Sequence, residues 1–233
     1  MKPLLIFDLD GTLADTSFDL IAALNAVLAD CQRPAVALEM MQDRISQGAV
    51  GLLRAGFGAD YEQLSEEKKQ ILFDNFVHYY EQGMLTHVAL YPGVEAALNK
   101  LSEQGFKMAI CSNKNTLLAK QMLQYLGIHR HFPVICGGDF FKGIKKPDGR
   151  HVAGTMARSG FSPSEACAIF IGDAMSDMAA AKQVGIPSIF VTYGYADITP
   201  NESGAMAIVN DAAQIPEAIS SVAGCLMLAR NVS

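Results

Sequence analysis

Basic blocks, long apolar runs and cysteine clusters are all missing from this chain of 233 residues, and each absence removes a class of function. The 18 Lys and Arg are scattered among 24 Asp and Glu, for a formal charge of −6. Without a basic patch or stripe the chain lacks the electrostatic footprint of a nucleic-acid binder. No window approaches the roughly 20 apolar residues of a membrane span, and the opening "MKPLLIFDLD" is too short in its apolar part for a signal peptide. Cys31, Cys111, Cys136, Cys167 and Cys225 are odd in number, far apart and mostly set within apolar runs. That usage suits reduced packing thiols and excludes a disulfide framework or a zinc site. Neither an internal repeat nor a low-complexity tract is found. The expectation is a soluble cytoplasmic protein with neither nucleic acid nor membrane as partner.

What is present is apolar residues, at 50% enough for a sizeable core. From about residue 85 short apolar runs alternate with helical patterns. The runs are "FKMAIC", "FPVIC", "ACAIFI", "PSIFV" and "AMAIV", and "LLIF" near the start belongs with them. Runs apolar on both faces, separated by helices, predict a parallel sheet covered on both sides. Residues 16–86 carry no strand pattern. "TSFDLIAALNAVLADC" predicts a helix with Thr16 as N-cap and Asp19 at N3, and "SEEKKQILFDNFVHYYEQG" another, capped by Ser65 and closed at Gly83. The chain therefore reads as α/β: a Rossmann-like doubly wound parallel sheet (1–14 and 87–233) with an all-helical cap domain (15–86) inserted after the first strand. The tail "CLMLARNVS" is apolar for a free end and is expected to dock or to contact a second copy, leaving monomer and homodimer both open.

Ligands of such sheets sit at the carboxyl ends of the strands, and polar residues come directly after the runs. Asp8, Asp10, Gly11 and Thr12 succeed "LLIF". Ser112, Asn113 and Lys114 succeed "MAIC", and Lys145 and Lys146 come after the third strand. Asp173 and Asp177 succeed "AIFI". Carboxylates brought together at low dielectric repel, so a compensating cation is expected. Oxygen donors with no His or Cys beside them favour a hard ion, Mg²⁺ where a phosphate is also bound. Asp173 and Asp177, at i and i+4, are expected to share a face of the helix start. The Ser112 hydroxyl and the N–H groups of the next helix can take a phosphoryl group, and Lys146 can balance its charge. One aspartate can then attack phosphorus while its neighbour protonates the departing oxygen and later activates water.

"DLDGT", "SN", Lys-Pro and "GDAMSD", in that order, resemble the motifs of the haloacid dehalogenase superfamily of hydrolases, in the branch with a C1-type helical cap. The resemblance covers nearly the whole chain. It implies Asp8 as nucleophile, Asp10 as general acid and base, and Ser112 and Lys146 on the phosphoryl group. It also implies Mg²⁺ held by Asp8, the Asp10 carbonyl and Asp173, with Asp177 acting through water. Lys146 is chosen over Lys145 because the family lysine directly precedes the proline. Dehalogenases of this fold lack the second aspartate, and its phosphonatases need a cap lysine, whereas 15–67 contains none. "VTYGYADITP" and "LYPGV" are similar to stretches of the phosphoglycolate phosphatase branch. The resemblance thus implies a small phosphorylated metabolite as substrate, 2-phosphoglycolate foremost, with sugar phosphates, pyrophosphate or phosphomutase chemistry as alternatives. Thr12 and Asn113, with Gln47, Gly48 and Arg54 of the cap, are the expected substrate contacts; Arg44 is a further candidate.

Overall fold

The computed structural model describes residues 2–162 and 168–230, apart from the side chains of Asp43 and 226–230. Cys167 and the end of the apolar tail, with the docking role expected of it, lie outside the described residues.

The chain divides into two compact units, one formed by Met1–Ala14 with Leu90–Ser233 and the other by Asp15–Ala89. In the first, the apolar runs become strands β1 (Leu4–Phe7), β4 (Met108–Cys111), β5 (Val134–Cys136), β6 (Ala168–Gly172), β7 (Ser188–Val191) and β8 (Ala207–Val209). Two-residue strands β2 (Ala14–Asp15) and β3 (Ala89–Leu90) pair where the chain leaves this unit and returns to it. The six longer strands pair in parallel in the order β5-β4-β1-β6-β7-β8. The chain winds outward from β1 through β4 to β5, then crosses back to β6 on the other side of β1. Such a reversal opens a crevice at the strand ends. Every residue of β1, β4, β6 and β7 is buried, as two covered faces require. Full burial of each Leu, Ile or Phe is worth about 1.5–3 kcal/mol, so these runs drive the strands into the middle of the sheet.

That register sets the site. Phe7 pairs with Ile110 on one side and Ile171 on the other. The next residue continues the ladder, Asp8 N–H donating to Ile171 O at 3.0 Å. Asp8, Cys111 and Gly172 therefore stand level at the carboxyl edge.

Helices α6 (Val94–Glu103), α7 (Thr116–Tyr125), α8 (Gly149–Arg158), α9 (Met175–Val184) and α10 (Ile215–Arg230) complete this unit. Asn115 caps α7, its side-chain oxygen accepting from Leu117 N and Leu118 N, and Asp148 caps α8 in the same way on Arg150 N. Gly185, with φ +76°, ends α9 in the left-handed conformation.

The second unit is helical: α1 (Ser17–Asp30), α2 (Gln42–Ile45), α3 (Gly48–Phe57), α4 (Asp60–Gln63) and α5 (Glu66–Gly83). α1 packs on α3 and α5, and Leu24, Val27, Leu28, Leu52, Leu53 and Phe76 of these helices are buried. Ser65 caps α5, accepting from Lys68 N at 3.3 Å. The start of α1 departs from expectation. Thr16 occupies the N-cap position without a side-chain capping bond; Asp15 instead accepts from Ser17 N and Oγ at 3.0 and 2.6 Å. Asp19 makes no capping box either. Its buried carboxylate accepts from His87 N and Val88 N and pairs with His87 Nδ1 at 2.8 Å, tying α1 to the end of the unit.

Candidate active site

Asp8, Asp173 and Asp177 each direct a carboxylate oxygen to a common point, the three atoms lying within 4.8 Å of one another, and all three residues are buried. Lys146 Nζ stands among them, 2.8 Å from Asp8 Oδ1 and 2.6 Å from Asp177 Oδ1. Lys145, its neighbour, is exposed.

Asp173 and Asp177 do not converge by sharing a helix face. α9 begins only at Met175, and Asp177 folds back so that its Oδ2 accepts from Ala174 N at 3.1 Å. Gly172 permits this approach: a Cβ there would stand 2.4 Å from Asp177 Oδ2. Gly11, with φ +81°, and Gly194 cradle Asp173 in the same way. Added Cβ atoms would lie 2.2 and 2.6 Å from its Oδ2, so only glycine fits either position.

The electrostatics of the cluster follow from the burial of its charges. Three carboxylates and one ammonium leave a formal charge of −2 when all are ionised. Burial above all, with the charges of Asp177 and Asp10 and against the pull of Lys146, holds the Asp8 carboxyl at about 6. Burial, then Asp177 and Asp8, hold Asp173 well above the usual carboxylate range. For Lys146 burial works against the charged form, but Asp177 and Asp8 override it and the ammonium is held more firmly than in water. Asp8 Oδ1, although close to Lys146, makes no aligned hydrogen bond. An all-oxygen donor set, a residual charge of −2 and an under-satisfied buried oxygen fit a hard divalent cation.

Two expected substrate contacts turn inward. The Thr12 hydroxyl, fully buried, donates to Asp173 Oδ1 at 2.8 Å, so its only proton orients a carboxylate and is not offered to substrate. Asn113 Nδ2 donates to Lys146 O at 2.9 Å and secures the lysine's backbone. Ser112 lies at the strand end, buried, its Oγ accepting from Lys114 N at 3.2 Å. The cap of α7 is thus Asn115, which leaves Ser112 the local turn. Asp10 stands outside the carboxylate cluster, and both its oxygens face Lys114 Nζ, at 2.8 and 2.9 Å.

Gln47, Gly48, Arg44 and Arg54 belong to the helical unit. Gln47 precedes α3 and Gly48, with φ +69°, opens it; Arg44 lies in the last turn of α2. Arg54 Nε pairs with Glu62 at 2.7 Å within that unit, and its guanidinium lies over the Tyr61 ring.

Two supports carried no assigned role in the sequence. Tyr195 N donates to Asp173 Oδ2 at 2.8 Å, and Tyr193 Oη donates to Thr12 O at 3.0 Å. The "YGY" loop thus buttresses the cluster, and its glycine between two tyrosines was the available signal. The second is Lys114, which sits two residues past Ser112 and gave no signal beyond its charge.

The family model of haloacid dehalogenase-like hydrolases matches residues 5–191. A phosphoglycolate phosphatase of Agrobacterium fabrum is 35% identical over 94% of this chain and 93% of its own length. One of Caulobacter vibrioides is 34% identical over 91% and 88% respectively. The crystal structure of a predicted phosphoglycolate phosphatase from Haemophilus somnus superimposes with a TM-score of 0.83 at 28% identity, covering 93% of this chain and 97% of that one. The chain belongs to the haloacid dehalogenase-like hydrolases.

Proposed function

We propose that this chain is a Mg²⁺-dependent phosphatase of small metabolites acting through a phosphorylated Asp8, with 2-phosphoglycolate as its substrate. The observation that carries the reading is the meeting of Asp8, Asp173 and Asp177 around Lys146. The names of the Agrobacterium and Caulobacter relatives support the substrate.

Asp8, Asp173 and Asp177 would hold the cation. When bound, it neutralises carboxylates and phosphoryl oxygens, lowering the barrier to attack by an anion on an anion. Lys146 and Ser112 orient the phosphoryl group. An Asp8 oxygen forms a bond to phosphorus as the P–O bond to the leaving group breaks, and Asp10 gives its proton to the departing oxygen. Asp10, now a carboxylate, takes a proton from water as that water attacks phosphorus; the Asp8–phosphorus bond breaks and inorganic phosphate leaves. Lys146 remains an ammonium throughout.

The test is phosphate release with Mg²⁺ across 2-phosphoglycolate, sugar phosphates and pyrophosphate, alongside isomer formation from glucose 1-phosphate. The highest kcat/KM is expected on 2-phosphoglycolate, without isomer. A preference for another ester overturns the substrate, and isomer in place of phosphate overturns the hydrolase reading.

A further inference from the structure

We propose that Tyr193 is a positioning residue for the cation ligand Asp173: it acts through Thr12 and thereby sets how tightly the site holds its divalent cation. This role rests on the cation reading above and extends it to a side chain outside the carboxylate cluster.

Both oxygens of the Asp173 carboxylate are held from one tripeptide, Tyr193, Gly194 and Tyr195. Tyr195 N donates directly to Oδ2 at 2.8 Å. Oδ1 is reached in two steps: Tyr193 Oη donates to Thr12 O at 3.0 Å, and the Thr12 hydroxyl donates to Oδ1 at 2.8 Å. Gly194 lets the loop come this close, since an added Cβ would stand 2.1 Å from Gly11 O and 2.6 Å from Asp173 Oδ2. Burial, then the charges of Asp173 and Asp211, push the Tyr193 hydroxyl far above an ordinary phenol, so it stays a donor. The Tyr193 ring lies 4.8 Å from that of Tyr91, whose N–H donates to Leu13 O at 3.1 Å. Two successive carbonyls after β1, those of Thr12 and Leu13, are thus each bound by one member of an aromatic pair.

A carboxylate bonded through one oxygen can still swing about its Cβ–Cγ bond; bonded through both, it is fixed in plane. The second bond depends on where the Thr12 hydroxyl points. Threonine is β-branched and stiff at χ1, so its Oγ1 follows the backbone that carries it. On the amide side that backbone is weakly held. Thr12 N shares Leu9 O with Leu13 N and Ala14 N, and its distance of 3.3 Å is the longest of the three. On the carbonyl side the Tyr193 hydroxyl supplies the hold. Without it the carbonyl of a fully buried residue loses this donor, and its peptide turns toward another. The Thr12 side chain turns with the peptide and releases Oδ1. A ligand that must be ordered at the moment of binding costs affinity. The deficit therefore falls on the cation's affinity and not on the chemistry that follows.

The experiment measures Mg²⁺ affinity by calorimetric titration, with thermal melts in chelator to confirm folding. Tyr193→Phe keeps the ring and removes the hydroxyl. It is expected to weaken Mg²⁺ binding about 3- to 10-fold, less than the roughly 10- to 100-fold of a group bonded directly to a ligand. In a Thr12→Val background, where the relay is already cut, Tyr193→Phe should change affinity by less than about twofold. Thr192→Val removes a hydroxyl that donates to Asn210 Oδ1 at 2.6 Å from the start of the same loop. Its affinity should stay within about twofold of wild type. Turnover of Tyr193→Phe should fall at limiting Mg²⁺ and return to within about twofold of wild type at saturation, a split that general loosening would not give. Unchanged affinity in Tyr193→Phe, an equal loss in the Thr12→Val background, or an equal loss in Thr192→Val would each overturn the role. Should Thr12→Val fail to fold, Thr12→Ala repeats the cycle. A wild type that binds no Mg²⁺ overturns the cation reading instead. The same cycle on urea midpoints in chelator then decides the relay, non-additive shifts supporting it and additive shifts overturning it.

Discussion

Replacing Asp8 by Asn should abolish turnover and, without divalent cation, make the protein more stable. The Asp8 carboxyl stands at about 6 in the fold against 3.8 for an ordinary aspartate, burial being the chief cause. A raised carboxyl means that the folded state holds its proton more tightly than the unfolded chain does. Stability is therefore lost as pH rises from 3.8 through 6, and the whole deficit is present above that. The difference corresponds to about 3 kcal/mol at pH 8 and about half that at pH 5. Asn carries no charge to desolvate and leaves Lys146 its pairing with Asp177. Thermal or urea unfolding in a chelator should then place Asp8→Asn above wild type by up to about 3 kcal/mol at pH 8, several degrees in Tm for a chain of this size. The gap should close toward pH 4. With saturating Mg²⁺ the order should reverse, because wild type gains the binding energy of the ion. An Asp8→Asn protein less stable than wild type in chelator at pH 8 would refute the claim that these carboxylates are held together at a cost which the cation offsets.

Thr12→Val keeps the shape but removes the donor to Asp173 Oδ1. Calorimetric titration with Mg²⁺ should show affinity lowered about 10- to 100-fold, the usual effect of losing a hydrogen bond to a ligating group; affinity within twofold of wild type would show that Tyr195 N orients Asp173 unaided. His151 is fully buried, its ring edge-on to Phe141 and both ring nitrogens without an aligned partner. Burial and then the charge of Lys146 lower it to about 4 from an ordinary 6.5. The unfolded chain takes up a proton that the fold refuses, so stability is lost as pH falls from 6.5 toward 4. His151→Leu should remove about 2–3 kcal/mol of that acid sensitivity between pH 7.5 and 4.5, read as the difference between the two proteins' urea midpoints; equal acid sensitivity would place the loss elsewhere.

The features legible in the sequence and those hidden from it divide along a physical line. The strands were legible because burial on both faces leaves no room for polar residues, so "LLIF" and "AIFI" stand out as unbroken apolar runs. The site was legible as a set because strand ends in a doubly wound sheet share one edge. Residues placed after different runs must meet there whatever the intervening length. Which partner each polar group takes was not legible. Thr12 and Asp173 are 161 positions apart, and nothing local tells a hydroxyl facing a carboxylate from one facing a phosphate. Asn113 illustrates the same point, holding a lysine backbone 33 residues on. The short helices α2 and α4, four residues each, have too few turns to show a period.

The same division explains why the cluster tolerates its own repulsion. Three buried carboxylates would not persist on local merits, since each is costly without a partner. The partners come from separated segments: Lys146 from the loop before α8, Thr12 from the turn after β1, and Tyr195 N from the loop after β7. Each contact exists only once the parallel ladder has formed, so the hydrophobic strands supply the free energy that assembles the charges. Loosening the ladder beneath the site, at Phe7 or Phe170, should therefore impair cation binding together with stability, whereas loosening the helical unit at Leu24 should not. Cation titration of variants matched in Tm is the measurement that separates the two, and equal losses of affinity would refute this account of how the site is held together.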